Sequence, residues 1–259
     1  MGFFNVTAKP YILPSEQHDG NITDTQLLAD WTGFEIPKGA ARLIGITVLY
    51  RGKDGADVTP TDFEIIWAKG DPDGSAPTTI GDTGGAISAP AIGSPPWFNL
   101  IQGKTYIDAS IMTNDGDLTY LNILSVPEGE VTITDNKAVH SYPGNIVLQG
   151  EPNSGTNVGY DKLYCILVAK ATHNWESTIA VDGTPLATQA DMTVKTINAN
   201  LVFAPGDVVY DEDDRLMGTI KSVNSATSLT FEDNLSNAGV DSKKLYNASP
   251  ITLVLSFEQ

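Results

Sequence analysis

The chain has 259 residues, with 15 Lys and Arg against 32 Asp and Glu, giving a formal charge of −17. A chain of this length buries a core without help from disulfides or metals, and a hydrophobic content of 41% excludes a disordered protein. Phosphate backbones and anionic lipid repel so acidic a polypeptide, so neither nucleic acid nor membrane is expected as a partner.

The single cysteine, Cys165, rules out an intrachain disulfide, and its place in an apolar run at 163–168 reads as a buried, inert thiol. No apolar run reaches the roughly 20 residues of a membrane helix. The opening MGFFNVTAKPYILP lacks the basic start and apolar core of a signal peptide and fits a myristoylation pattern poorly, so cytoplasmic synthesis is expected.

Residues 1–23 set Phe3, Phe4, Tyr11 and Ile12 among Pro10, Pro14 and polar residues. That texture suits an extended arm, which can pair at a sheet edge, reach a neighbouring subunit or move freely. Residues 24–31 (DTQLLADW) fit a short helix capped by Thr23 or Asp24 and fit a strand equally well. From Phe34 the pattern is β. A short strand at 34–36 leads through Pro37-Lys38-Gly39 to an aliphatic strand at 41–51, and the Gly52-Lys53-Asp54-Gly55 turn leads to another at 62–69. Residues 70–96 are dense in Gly, Pro, Ser, Thr and Asp and longer than most connections, which marks a functional or poorly ordered loop. Packing residues resume at Trp97-Phe98 and Leu100-Ile101. Residues 105–112 and 119–126 are predicted to pair as a hairpin across Asn114-Asp115-Gly116-Asp117. Weak strands at 131–133 and 144–148 precede a strong one at 160–171.

The most legible stretch is 201–231, where runs at 207–210, 215–223 and 228–231 read as a half-buried β-meander. Alternation puts Leu216, Gly218, Ile220 and Ser222 on one side of the middle run and Met217, Thr219, Lys221 and Val223 on the other. Ala204-Pro205-Gly206-Asp207 supplies the leading turn, with positive φ expected at the glycine. The last apolar run, 251–257, suits a central strand.

Strands at roughly ten-residue spacing between Gly, Pro, Asn and Asp turns indicate an all-β protein. The expected architecture is a β-sandwich or jelly roll with a second small β-barrel domain. The arm takes 1–23, the sandwich 24–171 and 250–259, and the inserted barrel or meander 172–249. Two sequential domains without a returning strand are the alternative.

Signals for chemistry are sparse. His18, His140 and His173 lie far apart without ligand spacing, so no zinc site is expected. No serine sits in a nucleophile elbow, and Gly81-Asp82-Thr83-Gly84-Gly85 lacks the lysine of a phosphate loop. The acidic turns Asp71-Pro72-Asp73-Gly74, Asp115-Gly116-Asp117 and Asp211-Glu212-Asp213-Asp214 place carboxylates close together, as calcium prefers, but read as solvent-facing turns. Trp31, Trp67, Trp97 and Trp175 read as core or subunit-contact residues ahead of sugar-stacking ones. Sequons at Asn5, Asn21, Asn234 and Asn247 read as chance. The expectation is a protein with no catalytic residue, no metal and no cofactor.

Two stretches resemble structural proteins of tailed bacteriophages, particularly those of marine hosts such as cyanophages. One runs from Asp30-Trp31-Thr32 through Phe34-Glu35-Ile36-Pro37-Lys38-Gly39-Ala40-Ala41-Arg42 to Arg51-Gly52-Lys53-Asp54-Gly55. The other, Pro205-Gly206-Asp207-Val208-Val209 to Gly218-Thr219-Ile220 and then Ser222-Val223 and Ser228-Leu229-Thr230-Phe231, is similar to small β-barrel modules of capsid and tail proteins. The resemblance implies a non-enzymatic virion component: a capsid decoration (cement) protein on the head, with the major capsid protein as partner. Extended termini and edge strands add an expectation of homo-oligomers, most simply a trimer. The contact residues expected are Phe3, Phe4, Tyr11, Ile12 and Trp97. The rival expectation is a tail, collar or fibre component that binds host-surface glycans.

Overall fold

A computed structural model of the chain describes residues 2–17, 22–51, 60–71, 75–88, 97–114, 119–124, 132–134, 137–139, 146–152, 159–195 and 198–259. Its first strands are β1 (Phe3–Ala8), β2 (Leu27–Pro37), β3 (Ala40–Tyr50), β4 (Phe63–Lys69) and β5 (Ile101–Ile107). Six shorter ones follow: β6 (Thr113–Asn114), β7 (Thr119–Leu124), β8 (Thr132–Thr134), β9 (Lys137–Val139), β10 (Ile146–Gln149) and β11 (Glu151–Pro152). Next come β12 (Tyr160–Ala169), β13 (Asp191–Thr193) and a single helical turn, α1 (Ala199–Val202). The chain ends with β14 (Val208–Asp211), β15 (Leu216–Ser225), β16 (Ser228–Phe231), β17 (Leu245–Asn247) and β18 (Ile251–Glu258).

Two antiparallel sheets face each other in a sandwich-type, all-β arrangement. One runs β1-β18-β3-β7-β6, with β10 pairing the far end of β3. The other runs β2-β12-β4-β5, with β11 beside the start of β12. Phe34 on β2 reaches across to Phe257 on β18, ring centroids 6.3 Å apart, and stands edge-on to Trp67 at 6.1 Å. Offset and edge-to-face rings add to the burial that closes the two sheets on each other.

β12 is the central strand, and its residues show why an alternating pattern is missing there. Leu163, Cys165, Leu167 and Ala169 point into the core between the sheets, whereas Ile166 and Val168 join a second cluster on the outer face. Both faces are covered there, so the strand is apolar from Leu163 onward. The outer cover comes from the loop after β4: Ile80 is fully buried against Leu27, Ile66, Ile166 and Val168. Backbone bonds from Leu27 N to Gly85 O and from Gly84 N to Leu27 O hold that loop on the sheet. Residues 75–88 of the long polar connection are thus packing; 72–74 and 89–96 lie outside the described residues.

The helix-or-strand ambiguity at 24–31 resolves as strand from Leu27 onward, because Leu27 and Leu28 face opposite hydrophobic clusters. Phe3–Ala8 pairs residue by residue with β18, so the amino-terminal segment takes the sheet-edge placement. Pro37 is followed by Gly39 at φ +113°, where the chain crosses from one sheet to the other instead of folding back as a hairpin.

The hairpin expected between 105–112 and 119–126 is not what forms. β5 pairs with β4 in one sheet, and β7 pairs with β3 in the other. Asp108 accepts a bond from Ser110 N and starts a 3-10 turn at Ala109–Ile111, and Ala109 N donates to Asp62 Oδ1 at 2.8 Å. That turn carries the chain to the opposite sheet, leaving only Thr113 and Asn114 to pair with Tyr120 and Thr119.

The third sheet, β13-β16-β15-β14-β17, has its own core around Met192, Val209, Met217, Ile220, Leu229 and Phe231. Segment 180–181 bridges both of its edges, Ala180 to Lys244 and Val181 to Val194. Gly206 takes φ +82° in the turn that leads into β14, and Asp207 N bonds back to Ala204 O. The strict alternation expected along β15 fails at a bulge. Val209 pairs with Gly218 and Tyr210 with Leu216, so Met217 is the extra residue, and Met217 and Ile220 both end up buried.

Candidate contact surface and the junction behind it

The residues expected to make contacts fall into different environments. Phe3 stands 70% exposed at the open end of β1, on the sheet edge. Phe4, half-buried, stacks on Phe257 at 5.4 Å and so mainly secures β1 to β18. Tyr11 is exposed and leans on Tyr210 of the third sheet, centroids 5.6 Å apart. Ile12 is fully buried in the sandwich core, out of reach of a second chain. Trp97 opens a 3-10 turn at Trp97–Leu100, and its side chain lies outside the described residues. Of the four whose side chains are described, Phe3 and Tyr11 are the exposed ones. Beside Tyr11 lies a shallow cleft of about 260 Å³, lined by Lys9, Val208, Tyr210, Ala248 and Ser249.

Behind that cleft a buried carboxylate fastens three parts of the chain. Asp207 accepts from Lys9 Nζ at 3.1 Å, from Arg51 NH1 at 3.0 Å, from Asn247 Nδ2 at 2.9 Å and from Ala204 N at 2.9 Å. Lys9 follows β1 and Arg51 follows β3, so one side chain in the turn before β14 holds the ends of two sandwich strands. Gln17, also buried, adds a second tie by donating to Ile12 O at 2.9 Å and Asn247 O at 2.8 Å. A buried charge is tolerable only when paired and bonded in this way. Nothing in the sequence pattern marks these groups: Asp207 reads as a turn residue, and its partners lie 156 and 198 positions away.

The remaining candidates for chemistry that the structure describes are buried or already hydrogen-bonded. His173 is 1% exposed, with its ring Nδ1 2.6 Å from Thr61 Oγ1 and 3.0 Å from Tyr50 Oη. Burial pushes its imidazole down to about 4, against a weaker upward pull from Asp62. Cys165 is fully buried, and burial pushes its thiol up to about 12. Trp67 donates to Thr105 Oγ1 at 2.9 Å inside the core, and Trp31 donates to Thr78 O at 3.1 Å. Trp175 is buried in the sandwich core. In the turn at 211–214, Asp211 accepts from the backbone of Asp213 and Arg215 and from the Arg215 side chain, so its oxygens are already engaged. Asn247, within a sequon, is buried. Among the described residues no group of three His, Cys, Asp or Glu side chains comes together to hold a metal. His18, His140 and the acidic turn at 115–117 lie outside the described residues, as does most of the one at 71–74.

No family model, curated protein or solved structure matches the chain.

Proposed function

We propose that this chain is a virion structural protein, a capsid decoration (cement) protein that binds the assembled shell and stabilises it through protein–protein contacts. The observation that carries this reading is the β1 edge. Phe3 stands exposed at the first residue of β1, Tyr11 lies past the other end of that strand, and the Asp207 junction anchors Lys9 close to Tyr11. Rigid aromatic groups lose little entropy on docking, which is what a contact surface needs. The charge of −17 steers the protein toward basic surface on a shell. Binding the assembled shell more tightly than loose subunits stabilises it by mass action.

Co-sedimentation with emptied or expanded shells tests this. Wild-type chain should pellet with shells and raise their melting temperature. Phe3→Asp together with Tyr11→Ser should stay in the supernatant with an unchanged denaturation midpoint; binding by that variant at wild-type strength would sink the reading. The self-associated form proposed is a trimer, and light scattering that returns a monomer at micromolar concentration removes it. Immunogold label on the tail and none on the head would instead favour a tail, collar or fibre component.

A further inference from the structure

A second cleft, of about 460 Å³, opens at the end of the sandwich where several strands finish. Its wall takes Lys38 from the turn between β2 and β3, Lys69 from the end of β4, Gln102 from β5, Gln149 from β10 and Asp161 from β12. A volume of this size falls in the range of small-ligand sites.

The telling group is Asp161, which is 4% exposed. Its Oδ2 accepts from Gly39 N at 2.9 Å, but its Oδ1 is buried and has no hydrogen-bond partner. Carboxylate oxygens removed from water normally find donors, so an orphaned one marks a position where a donor is missing. The surrounding wall is fixed. Gln102 locks onto the backbone of Gln149, donating to its carbonyl and accepting from its N–H at 2.8 Å. Gly150 lets two strands approach closely: a Cβ there would lie 2.7 Å from Lys162 O and 2.8 Å from the Asp161 Cβ. Gln259 holds the turn by donating to Lys38 O at 2.8 Å.

The charges select the ligand. Among the described residues of the wall, Lys38 and Lys69 stand with Asp161, Lys69 having an interaction of its own, on a chain whose formal charge is −17. A divalent cation wants several oxygens and is repelled by the ammonium groups. A bare anion suits the lysines but brings Asp161 no donor. A molecule that carries both hydroxyl groups and a carboxylate satisfies both, with hydroxyls donating to Asp161 and the carboxylate meeting Lys38. We infer that this cleft binds an acidic sugar residue of the uronic-acid class. The assignment does not depend on the capsid reading, since it rests on Asp161 and Lys38 and not on Phe3 and Tyr11.

Saturation-transfer NMR and calorimetry on the full chain, with oligogalacturonate against the neutral galactose oligomer, test it. Oligogalacturonate should bind. The neutral oligomer should bind at least about tenfold more weakly, and Asp161→Asn should lose about tenfold or more for the acidic ligand. Lys38→Ala, at an exposed turn, should also weaken acidic-sugar binding, and it serves if the Asp161 variant fails to fold. Absence of binding, equal affinity for the two oligomers, or full affinity in the Lys38 variant would each overturn the inference. Shell co-sedimentation is read separately, so either idea can fail without the other.

Discussion

Arg51 reaches Asp207 across 156 positions of sequence, NH1 to Oδ2 at 3.0 Å, and their side chains are 10% and 1% exposed. The pair joins the end of β3 to the turn that leads into β14. Because Asp207 also receives Lys9 and Asn247, its removal strands more than one donor. Asp207→Ala should therefore cost about 3–5 kcal/mol, measured as the shift in a denaturant midpoint. Replacing both members with apolar residues, Asp207→Leu with Arg51→Met, should cost less than the single change. A single variant as stable as wild type would show that the junction carries no stability.

His173 gives the fold a signed acid response. Its folded value of about 4 lies below the ordinary 6.5, so between those limits the unfolded chain binds a proton that the folded chain does not. Stability from this group is complete above 6.5 and is lost as pH falls toward 4, by about 3 kcal/mol in total. His173→Gln removes that component. The stability gap between wild type and variant should shift in the variant's favour as pH drops across the window, read from urea unfolding at several pH values. A gap that stays constant would place the titration elsewhere.

Gly218 sits at φ +147°, and a Cβ there would come within 2.9 Å of the Phe231 ring. Gly218→Ala should destabilise the protein by about 1–3 kcal/mol through backbone strain and displaced packing. Hydrogen exchange should localise the loss to β15 and β16. Gly183, also at positive φ but with open space where a Cβ would go, should show the strain without the clash and so lose less.

Cys165 should be silent toward thiol reagents while the chain is folded. Its burial and raised pKa leave almost no thiolate at neutral pH. Labelling by a maleimide should follow global unfolding, so its rate should climb through the denaturant transition. Prompt reaction of one thiol per chain in buffer would contradict the packing of β12.

Local signals were strong where a turn and its flanks share a few residues. The Pro205-Gly206-Asp207 turn, with positive φ at the glycine, was legible because glycine alone adopts that geometry freely. The all-β class and the three runs of the meander were legible for a similar reason: alternation and turn residues are short-range. Strand β2 could not be told from a helix, since a segment with clusters on both faces loses its period. The Asn114–Asp117 signal predicts a longer hairpin than forms, because turn chemistry does not reveal which sheet a preceding strand joins.

Sequence alone determined the strand-rich class, the acidity and the inertness expected of Cys165, because composition and near neighbours govern those properties. Only the tertiary structure decided that Asp207 is a buried tie, that residues 75–88 cover a sheet face, and that Asp161 is left with an oxygen lacking a donor. Each depends on groups far apart in the chain and on how much water is excluded where they meet. Separation along the backbone carries no record of either.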